Sequence, residues 1–253
     1  MREAAPNQPD AANPAIASGL QSAPRWHGVA DPGRWATKLD SISPIIFVWT
    51  RTMLVLASLA ACGLGQTRPE QDDAKSYWNK VYAADRTIFV REPTAVLVSA
   101  IKERRPGKAL DIGMGQGRNA VFLAQKGWDV TGFDPSDEGV RQAQMEARRL
   151  GVQLHAVVAR EEDYDLGTSQ WDLIVMTYVR RLGADDAERF RRALKPQSIL
   201  VYENNNVGEQ NELLRAFLRF RILRFEDVDT TSDWNPRPGQ RVERLVAEKP
   251  VEN

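Results

Sequence analysis

The chain has 253 residues and carries 34 acidic and 34 basic side chains. That length suits one domain with a tail better than two full domains, and the balanced charge supplies no one-sign field to favour nucleic acid. A single cysteine, Cys62, excludes an intrachain disulfide and a multi-thiolate zinc site; with only His27 and His155 besides, no metal site is expected.

Residues 1–44 hold Pro6, Pro9, Pro14, Pro24 and Pro32 among Ala, Asn, Asp and Gly. Such a segment cannot bury enough apolar surface to offset its chain entropy, so a disordered leader is expected. Residues 45–62 are apolar around Thr50-Arg51-Thr52 and close in Leu59-Ala60-Ala61-Cys62. The segment resembles a bacterial lipoprotein signal, in which the cysteine takes the lipid. It lies well inside the chain, so this reading requires translation to start near Val48 or Met53. The alternatives are a chance apolar stretch or an uncleaved anchor. Residues 63–74 read as a polar linker.

From Lys75 to Pro250 the pattern alternates between helix and strand. Helices are expected over 75–83, 93–104, 118–126, 136–150, 185–194 and 209–220. The last of these turns Leu213, Leu214, Phe217 and Leu218 inward. Strands are expected over 109–112, 128–133, 154–159, 171–178, 199–203, 222–228 and 242–247. Ser136 suits a helix N-cap and Gly127 a helix C-terminal cap. Alternation of this kind gives an α/β fold with a mostly parallel sheet and helices on both faces. The last two strands have no helix between them and should pair antiparallel. His155, in an apolar run, reads as structural.

The chemistry concentrates in Leu110-Asp111-Ile112-Gly113-Met114-Gly115-Gln116-Gly117-Arg118-Asn119, where a strand ends and a helix begins. Three glycines let the backbone turn tightly against a ligand. The helix start offers free N–H groups that suit a carboxylate. Asp111 can accept from an ammonium group, so a zwitterionic amino-acid end fits the pair. Nicotinamide and flavin domains favour Gly-x-Gly-x-x-Gly, whereas these glycines fall at alternate positions. The next strand ends in Asp134-Pro135, about twenty residues on, where a carboxylate can take both ribose hydroxyls.

The stretch from Ala109 to Asp134 resembles the class I S-adenosylmethionine-dependent methyltransferases. Gly117-Arg118-Asn119 and Gly127-Trp128-Asp129-Val130 are similar to the tellurite-resistance and thiopurine methyltransferase-like branch. The resemblance implies a Rossmann-like, seven-stranded sheet with an antiparallel final strand, and S-adenosyl-L-methionine as cofactor. It places Asp111, Gly113, Met114, Gly115, Gly117, Arg118 and Asn119 at the methionine end and Asp134 with Pro135 at the ribose. It offers Glu161 or Glu162 for the adenine and Tyr178 beside the transferred methyl. No catalytic base is marked. A small-molecule acceptor is expected, lined by Tyr77, Trp78, Tyr82, Phe89, Arg180 and Arg181. Lys195-Pro196-Gln197-Ser198 departs from the family's Lys-Pro-Gly-Gly turn. Two other readings stay open: a non-catalytic, membrane-anchored protein that keeps the fold, and a nicotinamide-dependent oxidoreductase. Location is correspondingly cytoplasmic, where the cofactor is made, or membrane-anchored through Cys62.

Overall fold

The computed structural model describes residues 69–84, 90–234 and 236–251. The leader, the segment ending at Cys62, most of the linker and Phe89 lie outside the described residues. The elements are α1 Pro69–Ala83, α2 Ala95–Ile101, β1 Lys108–Ile112, α3 Arg118–Gln125, β2 Asp129–Asp134, α4 Asp137–Arg149 and β3 His155–Val158. They continue with β4 Trp171–Thr177, α5 Ala184–Ala193, β5 Leu194–Asn204, α6 Glu212–Ala216, β6 Arg221–Thr230 and β7 Gln240–Glu248.

The strands form one seven-stranded sheet in the order β3-β2-β1-β4-β5-β7-β6. Neighbours from β3 to β5 pair parallel, and β7 runs antiparallel to both β5 and β6. This is the expected seven-stranded, mostly parallel sheet with an antiparallel final strand. Side chains alternate across each strand, so every central strand feeds two cores. Leu110, Ile112, Ile174, Met176, Leu200 and Tyr202 face Phe190 of α5 and Leu213 of α6. Ala109, Leu173, Val175, Ile199 and Val201 face Val96, Leu97, Leu123 and Ala143 of α2, α3 and α4. Because β1 and β4 are covered on both faces, their C-terminal ends are fixed rigidly. The site is built there.

Local signals act as the residues dictate. Ser136 caps α4, its hydroxyl accepting the Gly139 N–H at 3.0 Å. Gly127 follows α3 with φ 85°, the left-handed conformation that ends many helices. The sequence misjudged three places. The helix expected over 209–220 shrinks to Glu212–Ala216, because Asn211 takes φ 62° ahead of it. Leu218, expected inward, is 70% exposed. Strand β5 starts at Leu194, straight after α5, so Lys195–Gln197 lie within a strand. His155 sits exposed on the edge strand β3. Among the described residues no helix is long and apolar enough to cross a membrane.

Candidate active site

Between β1 and α3 the backbone takes positive φ at Gly113 (67°), Gly115 (53°) and Gly117 (83°). Any other residue would be strained at all three. Space is closed as well: a Cβ on Gly117 would come within 2.7 Å of the Ala143 Cβ, and one on Gly115 within 2.5 Å of the Tyr82 hydroxyl. The Gly117 N–H closes the turn on the Met114 carbonyl at 2.8 Å. Met114 is not a free ligand group, since it packs in the core against Gly132.

Asp111 stands at the head of this loop, 2% exposed. It accepts the Ala120 N–H, yet its Oδ2 has no partner among the described residues. Burial raises its pKa to about 7, against the opposing pull of the Arg118 guanidinium. A buried carboxylate oxygen left without a donor costs stability, and native proteins keep such groups mainly where something binds. An ammonium group meeting Oδ2 would satisfy it.

Asp134 ends β2, 5% exposed. Its oxygens accept the N–H groups of Gly115 and Ser136, each at 2.9 Å. Burial raises its pKa to about 6 in spite of those two bonds. Tyr82 of α1 reaches over Gly115 and Gly139 beside it. The helix is held there by Asn79, which accepts from the Ser136 hydroxyl at 2.6 Å and donates to Asp137 at 2.5 Å. Burial, reinforced by the Asp134 charge, holds the Tyr82 phenol protonated.

A second cluster forms where β4 and β5 end. Tyr178 sits at φ 59°, a strained conformation for an aromatic residue and of the kind that gathers at functional sites. Its hydroxyl donates to Glu203 Oε1 at 2.7 Å and lies 3.1 Å from Asp233 Oδ1. Glu203 is fully buried and also meets Arg244 at 3.1 Å and the Thr94 hydroxyl. Thr94 in turn lies 2.7 Å from Asp233 Oδ2. Arg118 donates to the Asp233 carboxylate and carbonyl, each at 3.1 Å, so the helix after the glycine loop holds the β6–β7 turn. Thr94 precedes α2 but does not cap it, and Asp233 takes the orphan Ala95 N–H at 3.1 Å in its place.

That turn brings Trp234 over the site. Its ring stacks on Tyr178 with centroids 5.5 Å apart. Trp78 lies 6.2 Å beyond, and Tyr82 stacks on Trp78 at 5.7 Å. Four rings from three distant segments thus make one row.

A cavity of about 640 Å³ opens against the loop. Asp111, Gly113, Met114, Gly115, Gly117, Arg118 and Asn119 line it, as does Tyr82. Asp134 and Pro135 do not line it. Tyr178 stands behind Trp234, Trp78 meets the site through Tyr82, and Tyr77 meets Trp78 edge-on at 5.2 Å. Four expected contacts are found in ion pairs. Arg180 and Arg189 hold the Glu161 carboxylate. Glu162 is paired with Arg160. Arg180 also meets Asp186, and Arg181 meets Glu212. Sequence reasoning missed Thr94, Thr177, Glu203, Asp233 and Trp234. Asp233-Trp234 sits in a turn-rich stretch with no spacing to mark it, and Glu203 ends an apolar strand as many solvated acids do.

Comparison with known proteins agrees with this geometry. Residues 109–197 match the family model described as a methyltransferase domain. A relative from Haemophilus influenzae (strain 10810), named probable S-adenosyl-L-methionine-dependent methyltransferase TehB, is 29% identical over 126 residues. The alignment covers 47% of this chain and 40% of the relative, so the chain spans less than half the length of that relative. The crystal structure of TehB from Haemophilus influenzae superposes with TM-score 0.53 at 18% identity, covering 70% of this chain and 67% of that one. Geranyl diphosphate C-methyltransferase from Streptomyces coelicolor A3(2), crystallised with Mg2+, geranyl diphosphate and S-adenosyl-L-homocysteine, superposes with TM-score 0.55 at 16% identity, covering 74% of this chain and all (100%) of that one. Residues 109–197 thus carry a methyltransferase domain, and the chain resembles the class I S-adenosylmethionine-dependent methyltransferases of the TehB branch.

Proposed function

We propose that this chain transfers a methyl group from S-adenosyl-L-methionine to a small-molecule acceptor. The observation that carries the reading is the Asp111 Oδ2, buried without a partner among the described residues at the head of a glycine loop, in a cavity that also meets Trp234 and Thr177. The cofactor supplies the activated methyl; the protein supplies position and electrostatics. Asp111 holds the ammonium group, and the N–H groups at the start of α3 suit the carboxylate. Asp134 retains lone pairs for ribose hydroxyls once Tyr82 yields them. The aromatic row excludes water from the methyl-transfer space, and Tyr178, fixed by Glu203, shapes the wall behind Trp234. Fixing two reactants in near-attack geometry supplies roughly 7–11 kcal/mol of the barrier at best, so positioning alone does much of what such an enzyme needs. A small acceptor is supported by the size of the cavity and by the geranyl diphosphate bound in the Streptomyces coelicolor neighbour.

The test is calorimetry with S-adenosylhomocysteine on the full chain and on Asp111→Asn. Micromolar binding that weakens about tenfold to a hundredfold in the variant is expected, the worth of one charge-assisted hydrogen bond. A well-folded chain that fails to bind S-adenosylhomocysteine would overturn the reading.

A further inference from the structure

We propose that the cavity takes an apolar acceptor bearing an oxyanion, with Trp234 against the apolar body and Arg91 on the anion. The inference rests on the methyltransferase reading and deepens it. Arg91 and Trp234 share one wall: the Val90 N–H bonds to the Trp234 carbonyl at 3.1 Å, which sets the next residue, Arg91, at the cavity mouth. Three other guanidiniums line the same cavity, and each is neutralised. Arg118 is on Asp233, Arg141 on Glu138 and Arg149 on Glu146. The exposed Arg91 guanidinium has no hydrogen bond or ion pair among the described residues. Its charge acts on Glu146, which Arg149 already grips through both oxygens. Among the described residues Arg91 therefore brings to the cavity mouth a guanidinium that no carboxylate grips, with a planar fork suited to a carboxylate or phosphate.

Deeper in, the character changes. Val90, Pro93 and Trp234 give apolar surface, and Trp234 cannot swing aside while Tyr178 stacks on its face. An indole held flat in this way offers a preformed platform for an aromatic or isoprenoid body, with little ordering cost on binding. Two carboxylates line the cavity: Asp111 is reserved for the cofactor's ammonium group, and Glu146 is held by Arg149. An acceptor cation thus has no counter-charge to meet, whereas an acceptor anion has Arg91.

Two fluorescent probes that differ in one group test this. They are 8-anilinonaphthalene-1-sulfonate and its neutral counterpart N-phenyl-1-naphthylamine, titrated into the full chain saturated with S-adenosylhomocysteine. The sulfonate is expected to bind about tenfold tighter than the neutral probe. Arg91→Gln should erase that preference while leaving S-adenosylhomocysteine affinity unchanged, and Trp234→Leu should weaken both probes. Equal affinity for the two probes, or a preference that survives Arg91→Gln, overturns the proposal while the methyltransferase reading stands. Failure of S-adenosylhomocysteine to bind overturns both. Because Arg91 is exposed, its variant folds normally and decides the matter even if Trp234→Leu does not fold.

Discussion

The site has two halves built on different principles. The cofactor loop is made of backbone: three glycines, helix-start N–H groups and two strand-end carboxylates, all within residues 111–134. The roof is made of side chains that meet only in the fold. Arg118 grips Asp233 across 115 residues, Thr94 meets Asp233 across 139, and Tyr178 meets Glu203 across 25. The first half follows from short-range chemistry, since positive φ demands glycine. The second follows from where the sheet puts its strand ends.

The largest expected effect breaks the roof and spares the loop. Glu203→Ala takes from Arg244 one of its two carboxylates, leaving Glu226, and takes from the Tyr178 hydroxyl its shorter acceptor, leaving Asp233. Removing one member of a buried charged pair costs at most about 3–5 kcal/mol, which denaturant unfolding would register directly. Affinity for S-adenosylhomocysteine should move less than about tenfold, under 1.4 kcal/mol, because no loop contact is lost. A stability change below about 1 kcal/mol would mean that the roof is held by its aromatic stacking alone.

How much of each half could be read in advance follows the same division. The fold was legible through periodicity and through the alternation of helix and strand. Asp111, Gly113, Gly115, Gly117 and Asp134 were legible because the chemistry fixes residue type at fixed spacing. Arg118 was identified, but its grip on Asp233 was not, since a guanidinium after a glycine loop suits a ligand equally well. Glu161 and Arg180 looked like site residues and are instead each other's partners. A charge at a strand end carries no sign of whether it is already spent. The boundaries of α6 failed for a related reason: Asn211 adopts a left-handed conformation that only the tertiary turn before it requires.

A smaller effect, about tenfold per pH unit, sharpens the loop half. The Asp111 pKa is raised to about 7 in the folded chain, from an unfolded value of 3.8. Only the ionised form attracts an ammonium group, so S-adenosylhomocysteine affinity should hold above pH 7 and fall about tenfold per unit below it, down to the pKa of the complex. Stability of the unliganded chain runs the other way. A carboxylate raised on folding contributes stability that is complete below pH 3.8 and is lost as pH rises through 7. Asp134, raised to about 6, adds in the same sense. Asp111→Asn should flatten both dependences, and calorimetry from pH 5.5 to 8.5 would show it. A flat affinity profile in the parent chain would mean that the ammonium group is held elsewhere.

The smallest effect asks whether positive φ alone accounts for the glycines of the loop. Gln197 takes φ 63° near the start of β5, outside the cavity lining, and its N–H bonds to the Lys249 carbonyl at 2.8 Å. Its φ is close to the 67° of Gly113, but the side chain is exposed. Gln197→Gly relieves the strain of a left-handed residue, worth about 1–2 kcal/mol. It also frees the unfolded chain, which returns roughly 0.5–1 kcal/mol. A net gain of under about 1 kcal/mol is expected, read as a rise in the urea midpoint at constant slope, with cofactor affinity untouched. A loss of stability would show that this stretch of β5 tolerates the Gln197 side chain without strain. The glycines of the loop would then owe their place to close approach, as the 2.7 Å contact at Gly117 suggests, rather than to φ.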